Sequence, residues 1–254
     1  MIVRFSSANS KIVKLNKVQS LKPFLSNGRK VYSFDLLSGH SCPFAYRCAS
    51  KAVQGVDGRR TIQDGEYTEF RCFSASQEVQ YTGVFNLRSA NFNALRNAKS
   101  VEGMYDLIQS ALPDDAGIVR IHVAGDFFNI HYFMAWLKVI AHNPHILFYA
   151  YTKSLPYWIQ CREEVESLSN LVLTASDGGR HDSLIAFHGL RTAIVAFSES
   201  EVESSGLELD DDDSHAADPA KRHESFCLLI HGTQPKGSEA ASALSNLKRK
   251  LVSA

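Results

Sequence analysis

Val119-Arg120-Ile121-His122-Val123-Ala124, then Ile130-His131-Tyr132-Phe133-Met134-Ala135-Trp136-Leu137-Lys138-Val139-Ile140-Ala141, then Ile146-Leu147-Phe148-Tyr149-Ala150-Tyr151 decide the fold class. The outer two segments are strand-sized and rich in β-formers, while the middle one places apolar residues at 130, 133, 134, 137 and 140, the spacing of one helix face. A strand, a helix and a strand in that order imply a parallel crossover. The pattern continues outward. Pro156 to Leu168 predicts a helix with Pro in its first turn, and Leu171 to Ala175, Ala193 to Phe197 and Phe226 to Ile230 predict further strands. Upstream, Lys30 to Leu37 predicts the first strand, and Val84 to Ala98 and Val101 to Leu112 predict two helices, the second stopped by Pro113. Ser238 to Lys250 predicts an amphipathic helix. Six strands of this kind make an α/β chain, either a partial (β/α)6-like barrel or an open, mostly parallel sheet with flanking helices. Residues 1–29 show no sustained period and are expected as an N-terminal arm, leaving 30–254 as a single α/β domain.

The 254 residues hold 44% hydrophobic and 21% charged side chains, the balance of a chain that buries a core rather than one that stays disordered. Lys+Arg and Asp+Glu are 27 each, so no global positive field draws nucleic acid or anionic lipid. The dense apolar stretches are strand-sized, which excludes a membrane-spanning helix, and residues 1–6 lack the apolar stretch of a secretory signal. A cytoplasmic setting is expected, where five cysteines do not form a disulfide framework. Between Glu199 and Asp213 acidic residues accumulate, ending in four consecutive aspartates, Asp210 to Asp213; segment 199–215 is expected as a solvated, mobile acidic loop, with a hard-cation site as the lesser reading.

A parallel sheet gathers its functional loops at the carboxyl ends of its strands. Here that edge carries His40, Cys42 and Cys48 after the first strand, Gly125-Asp126 after the second, Lys153 after the third, Asp177-Gly178-Gly179-Arg180-His181 after the fourth and His231-Gly232 after the last. Cys42, Cys48 and, 24 positions later, Cys72 lie in segment 38–76 and form the strongest local signal. Thiolates select zinc, copper(I) or an iron–sulfur cluster, and C-x5-C with one distant third Cys fits the close ligand pairs of structural zinc poorly. A 4Fe-4S cluster takes four ligands, so three cysteines leave one iron for another group. His40, Cys161, Cys227, Asp126, His122 and His181 are the candidates for that position; Cys161 and Cys227 also read as small buried hydrophobes. Asp126 serves equally as a helix cap or a ligand, and Arg180 equally as part of a turn or as an anion grip. With Lys153 and His231 they line the pocket expected beside the cysteines, where catalytic groups would sit. The Walker, Gly-x-Ser-x-Gly, His-Glu-x-x-His and Gly-x-Gly-x-x-Gly patterns are missing.

Gly39-His40-Ser41-Cys42-Pro43, Phe70 to Glu78 (FRCFSASQE), Ile121 to Phe128 (IHVAGDFF), Phe148 to Ser154 (FYAYTKS) and Ile230 to Pro235 (IHGTQP) resemble the phage gene product 88 family from about residue 30 to the end. The resemblance implies a phage-encoded protein acting in the host cytoplasm or carried in the virion, and no particular reaction. Three cysteines after the first strand of a six-unit α/β chain are also similar to radical S-adenosylmethionine enzymes, which hold a 4Fe-4S cluster. That likeness implies radical or redox chemistry on a small-molecule or protein substrate and S-adenosylmethionine as a cofactor, although the spacing here departs from C-x3-C-x2-C. Two further expectations compete with the cluster. One is a zinc-stabilised binding module using Cys42, Cys48, Cys72 and His40 and acting on a host or phage partner; the other is a metal-free protein whose basic residues (Lys11, Lys14, Lys17, Lys22, Arg29, Lys30 and Lys248-Arg249-Lys250) meet nucleic acid.

Overall fold

The computed structural model describes residues 2–253, with side chains through Arg249. In chain order the elements begin with β1 (Ser6–Ser7), β2 (Lys30–Phe34), the hairpin β3 (Ser50–Gln54) and β4 (Arg60–Asp64), and helices α1 (Phe73–Gln80), α2 (Thr82–Ala98) and α3 (Val101–Ala111). The repeating part follows as β5 (Ala116–Ile121), α4 (Ile130–His142), β6 (Leu147–Thr152), α5 (Leu155–Gln160), α6 (Arg162–Ser167), β7 (Leu171–Ser176), α7 (Ser183–His188) and β8 (Thr192–Ala196). The chain ends with α8 (Glu199–Ser205), β9 (Glu208–Leu209), α9 (Ser214–Ala217), β10 (Phe226–Leu229) and α10 (Glu239–Ser253).

The main sheet is open and runs β1-β2-β5-β6-β7-β8-β10-β9. From β2 to β10 its strands are parallel neighbours in chain order, with β1 antiparallel on one edge and β9 parallel on the other. From β2 to β8 each crossover steps in the same direction, which with the usual right-handed hand puts the connecting helices on one face, whereas the connection from β9 back to β10 reverses the step and carries α9 on the other. Val119, Ile121, Phe148, Ala150 and Leu173 point to that face and pack with Trp136, Phe133, Ile140, Leu155 and Val165. Their alternates Val31, Ile118, Leu147, Tyr149 and Val172 face the other way and are just as buried, as parallel strands covered on both sides require. What covers them is the N-terminal segment: Ile12, Leu15 and Leu21, on two 3-10 turns, together with Ala216 and Ala217 of α9.

Element ends differ from the sequence expectation where tertiary contacts intervene. The first strand stops at Phe34 because the Asp35 carboxylate turns to accept the backbone N–H groups of Val123 (2.7 Å) and Ala124 (3.2 Å). The second stops at Ile121 because His122 adopts φ 68°, which swings its ring to the helix side. The helix expected over Pro156 to Leu168 breaks at Cys161 into α5 and α6.

The acidic segment is corrected outright. It is neither solvated throughout nor irregular: it forms α8, β9 and the start of α9, and it buries Asp210 and Asp213. The fully buried Asp213 carboxylate pairs with Arg120 and with Lys11 (2.8 Å) and accepts the Tyr149 hydroxyl (3.0 Å). Burial raises an aspartate pKa, yet Arg120 and Lys11 outweigh it and hold this one below the usual value.

Candidate metal centre

Cys42 and Cys48 lie on the loop after β2, and that loop is pinned by backbone rather than by chance packing. The Gly178 carbonyl accepts the N–H groups of Tyr46 (3.3 Å) and Arg47 (3.0 Å), and Arg180 N–H donates to the Phe44 carbonyl at 2.9 Å. The loop after β7 thus grips the stretch between the two cysteines. Gly39 opens the loop with φ 71°, and a Cβ there would lie 2.4 Å from the Ser50 carbonyl oxygen, so only glycine fits. The third cysteine arrives from the far side of the hairpin, where the Arg47 carbonyl accepts the N–H groups of Glu69 (2.9 Å) and Phe70 (3.2 Å). Cys72 is the N-cap residue immediately before α1.

The three thiols lie within electrostatic reach of one another. Burial pushes the Cys42 thiol well up, and the negative charge that Asp126, Cys72 and Cys48 carry when ionised pushes it further. Cys72 is pushed up to about 11, by burial first and then by the charge of Cys48, while the N–H groups of Ser74 and Ala75 at the start of α1 pull the other way. Gly39 N–H donates to Cys42 Sγ at 3.4 Å. Burial and neighbouring negative charge thus disfavour the ionised forms of Cys42 and Cys72 until a cation takes the place of the protons.

Spacing bears on which cation. Tetrahedral zinc with Zn–S bonds of about 2.3 Å holds its sulfurs roughly 3.8 Å apart. Among the described residues, Glu208, His215 and Glu224 alone form a group of three or more metal-ligating side chains whose ligand atoms all lie within 4.8 Å, so the cysteine sulfurs are spread more widely than a zinc triad. His40, expected as a fourth donor, is exposed and holds Nε2 2.8 Å from the Ala52 carbonyl oxygen, out along the hairpin.

The other expected residues gather at this edge in different roles. Asp126 is buried, and both its oxygens are engaged: Oδ1 accepts the Thr152 hydroxyl (2.6 Å) and Phe127 N–H (2.7 Å), and Oδ2 accepts Lys153 N–H (2.8 Å). Burial raises its pKa against those donors. The carboxylate therefore ties the ends of β5 and β6 together beside Cys42. Lys153 Nζ donates to the Ser176 hydroxyl (2.8 Å), the Ser176 carbonyl (3.0 Å) and the Asp177 carbonyl, which uses all three of its hydrogens to close the end of β7. Arg180 is exposed, with its guanidinium carbon 5.8 Å from the centre of the Tyr46 ring. His231 is exposed and lies against Phe73, the residue after Cys72, at 4.8 Å between rings.

Of the remaining candidate ligands, Cys161 and Cys227 are buried in the helix joint and in β10, His122 donates to or accepts from Tyr132 Oη at 2.9 Å inside the core, and His181 packs on Phe44. Glu78 was not singled out by sequence reasoning. It is fully buried on α1, accepts Ser38 N–H (3.0 Å), the Ser38 hydroxyl (2.8 Å) and Arg88 (3.1 Å), and adds negative charge near Cys72. Its one signal is the spacing with Ser74 and Ala75, which puts all three on the buried stripe of α1. Gln234 was missed as well; it accepts Arg71 N–H (2.7 Å) and donates to the Arg71 carbonyl (3.2 Å), docking the loop after β10 onto the residue before Cys72.

Among known proteins, a family model described as gene product 88 matches residues 3–248. No curated protein and no solved structure matches the chain, so the likeness to radical S-adenosylmethionine enzymes gains no support. No helix among the described residues is long and apolar enough to cross a membrane.

Proposed function

The chain belongs to the phage gene product 88 family, and within it we propose that this protein is an iron–sulfur protein whose cluster is held by Cys42, Cys48 and Cys72. The observation that carries the reading is the convergence of three half-buried cysteines from two sides of a hairpin onto one sheet edge, each within electrostatic reach of the others and Cys42 within reach of Asp126. Such a site is short of positive charge, and soft donors spread wider than a mononuclear zinc triad suit a polynuclear core. When bound, a cluster supplies electron transfer, and three protein thiolates leave one iron for a further ligand or a substrate. The chain's own part is to hold the thiolates. Gly39 donates its N–H to Cys42, the N–H groups of Ser74 and Ala75 lie near Cys72 and favour its ionised form, the carbonyls of Gly178 and Arg47 fix the loops, and Asp126 adds to the local charge.

The test is anaerobic purification followed by iron, zinc and sulfide analysis and an absorption spectrum. Roughly equal iron and sulfide, lost in Cys42→Ser, Cys48→Ser and Cys72→Ser, is the expected result. Zinc alone, or no metal in protein kept from air, overturns it.

A further inference from the structure

We propose a second metal site, at the opposite edge of the sheet: Glu208, His215 and Glu224 bind a divalent ion of the zinc and manganese class, in a place now kept by the Lys221 ammonium. Glu208 lies on β9, Glu224 two residues before β10 and His215 on α9, so the group stands at the amino ends of the parallel strands, away from the cysteines. Their ligand atoms all lie within 4.8 Å of one another.

The hydrogen bonds of His215 carry the argument. Its ring is 2% exposed and packs on Phe226. Nε2 faces the Glu224 backbone carbonyl at 3.2 Å, an acceptor only, which assigns the ring hydrogen to Nε2. In the neutral ring Nδ1 then presents a lone pair, and it faces another acceptor, Glu208 Oε2, at 3.1 Å. That contact calls for positive charge, either a second ring proton or a cation shared by the two atoms. Lys221 Nζ provides it, 2.6 Å from Glu208 Oε2 and 3.3 Å from Nδ1. The Lys221 ammonium faces Glu208 and the Arg191 guanidinium lies near Glu224, and a dication in the place of the ammonium would bring one more positive charge between the two carboxylates. An imidazole nitrogen with carboxylate oxygens is a donor set for zinc or manganese, with water completing the shell.

The site is also pre-organised. Arg191 donates to the carbonyls of His215, Ala216 and Glu224, and Asp210 accepts Ala216 N–H at 2.9 Å, so both ends of α9 are fastened whether or not the ion is bound. An ion here would staple the two-residue edge strand β9 to α9 and β10.

The test is titration with Mn2+ in a buffer free of other metals, following the free ion by electron paramagnetic resonance; manganese favours oxygen and imidazole over the thiolates of the cysteine site. Lys221→Ala, which removes the competing ammonium, should tighten binding about tenfold, equal to about 1.4 kcal/mol. Adding His215→Gln to that variant should abolish binding. Because His215 is buried, Glu208→Gln and Glu224→Gln at half-exposed positions serve as a second pair, each expected to weaken binding tenfold or more in the Lys221→Ala background. Unchanged, weaker or absent binding in Lys221→Ala, or binding indifferent to the glutamates, overturns the proposal. Iron and sulfide content should stay constant across these variants, so the outcome is independent of the cysteine reading.

Discussion

Replacing Asp213 by Asn removes one negative charge from a position with no solvent contact and leaves the Arg120 guanidinium, 11% exposed, without its counter-ion. Breaking a buried pair in this one-sided way costs about 3–5 kcal/mol, against a total stability of roughly 5–15 kcal/mol for a folded domain. The Asn amide also turns two of its hydrogens toward donors already present, Arg120, Lys11 and the Tyr149 hydroxyl. For a chain of this size about 2–4 °C of melting temperature accompanies each kcal/mol, so a fall of roughly 6–20 °C is expected in differential scanning calorimetry. Asp211→Asn, at an exposed position two residues away, is the control and should shift the midpoint by less than ~2 °C. Acid should act in the same direction as the substitution. The Asp213 pKa is depressed in the folded chain, so its contribution is complete above the unfolded carboxylate value of about 3.9 and is lost as pH falls through the lower folded value. If Asp213→Asn melts with the wild type, the acidic run is the solvated loop its composition suggested, and the buried network has no energetic weight.

His122 offers a second pH test: burial first, then Arg120, holds its pKa at about 3, so the folded chain binds fewer protons than the unfolded one between pH 3 and about 6.5. Stability should therefore fall by about 2 kcal/mol between pH 7 and pH 5, measured by urea unfolding, and His122→Asn, which tolerates the left-handed backbone, should flatten that slope. Gly232→Ala should lower both metal content and melting temperature, because its φ is 81° and a Cβ there would lie 2.5 Å from the Cβ of Phe73, next to Cys72; normal metal content would show that this contact does not position the thiol. Cys161→Ser and Cys227→Ser should keep full metal content, since both sulfurs lie in the core away from the edge, and loss of iron in either would require a ligand set other than the three cysteines.

The periodic part of the chain was readable because its alternation is local. Strands β5, β6 and β7 carry apolar residues on both faces, and α4 keeps one stripe, so burial on two sides and a covering helix follow from spacing alone. Cys42, Cys48 and Cys72 were also readable as a group, since their type and clustering mark them. What spacing did not reveal depends on partners far away in sequence. Asp213 is buried because Arg120 and Lys11 come to it from 93 and 202 residues distant, and nothing in four consecutive aspartates says which of them turns inward. Similarly, Asp126 and Lys153 were expected to line a reactive pocket; in the fold Asp126 accepts the Lys153 backbone N–H and the Lys153 ammonium donates to Ser176 and Asp177, ties that close a sheet edge. The N-terminal segment gave no period because it packs through isolated positions, Ile12, Leu15 and Leu21, on irregular 3-10 turns.

That packing explains why chemistry is placed at the edges of this sheet. A sheet wound in one direction has helices on one face and leaves the other free to close around a cavity, as barrels do. Here the free face is filled: Ile12, Leu15 and Leu21 have no exposed surface, and the polar side chains that reach it, Arg120, Tyr149 and Asp213, satisfy one another. Reactive groups must then come from the loops, and loops hold a fixed geometry only when their backbone is tied down. The cysteine loop is tied through the carbonyls of Gly178 and Arg47, neither of which depends on a cysteine side chain. A single Cys→Ser exchange should accordingly remove metal while leaving the hydrogen-bonded loop, and most of the fold's stability, in place. Circular dichroism of metal-free Cys48→Ser that matched the wild type would bear this out, and global unfolding would show instead that the metal, rather than the backbone ties, holds the carboxyl edge together.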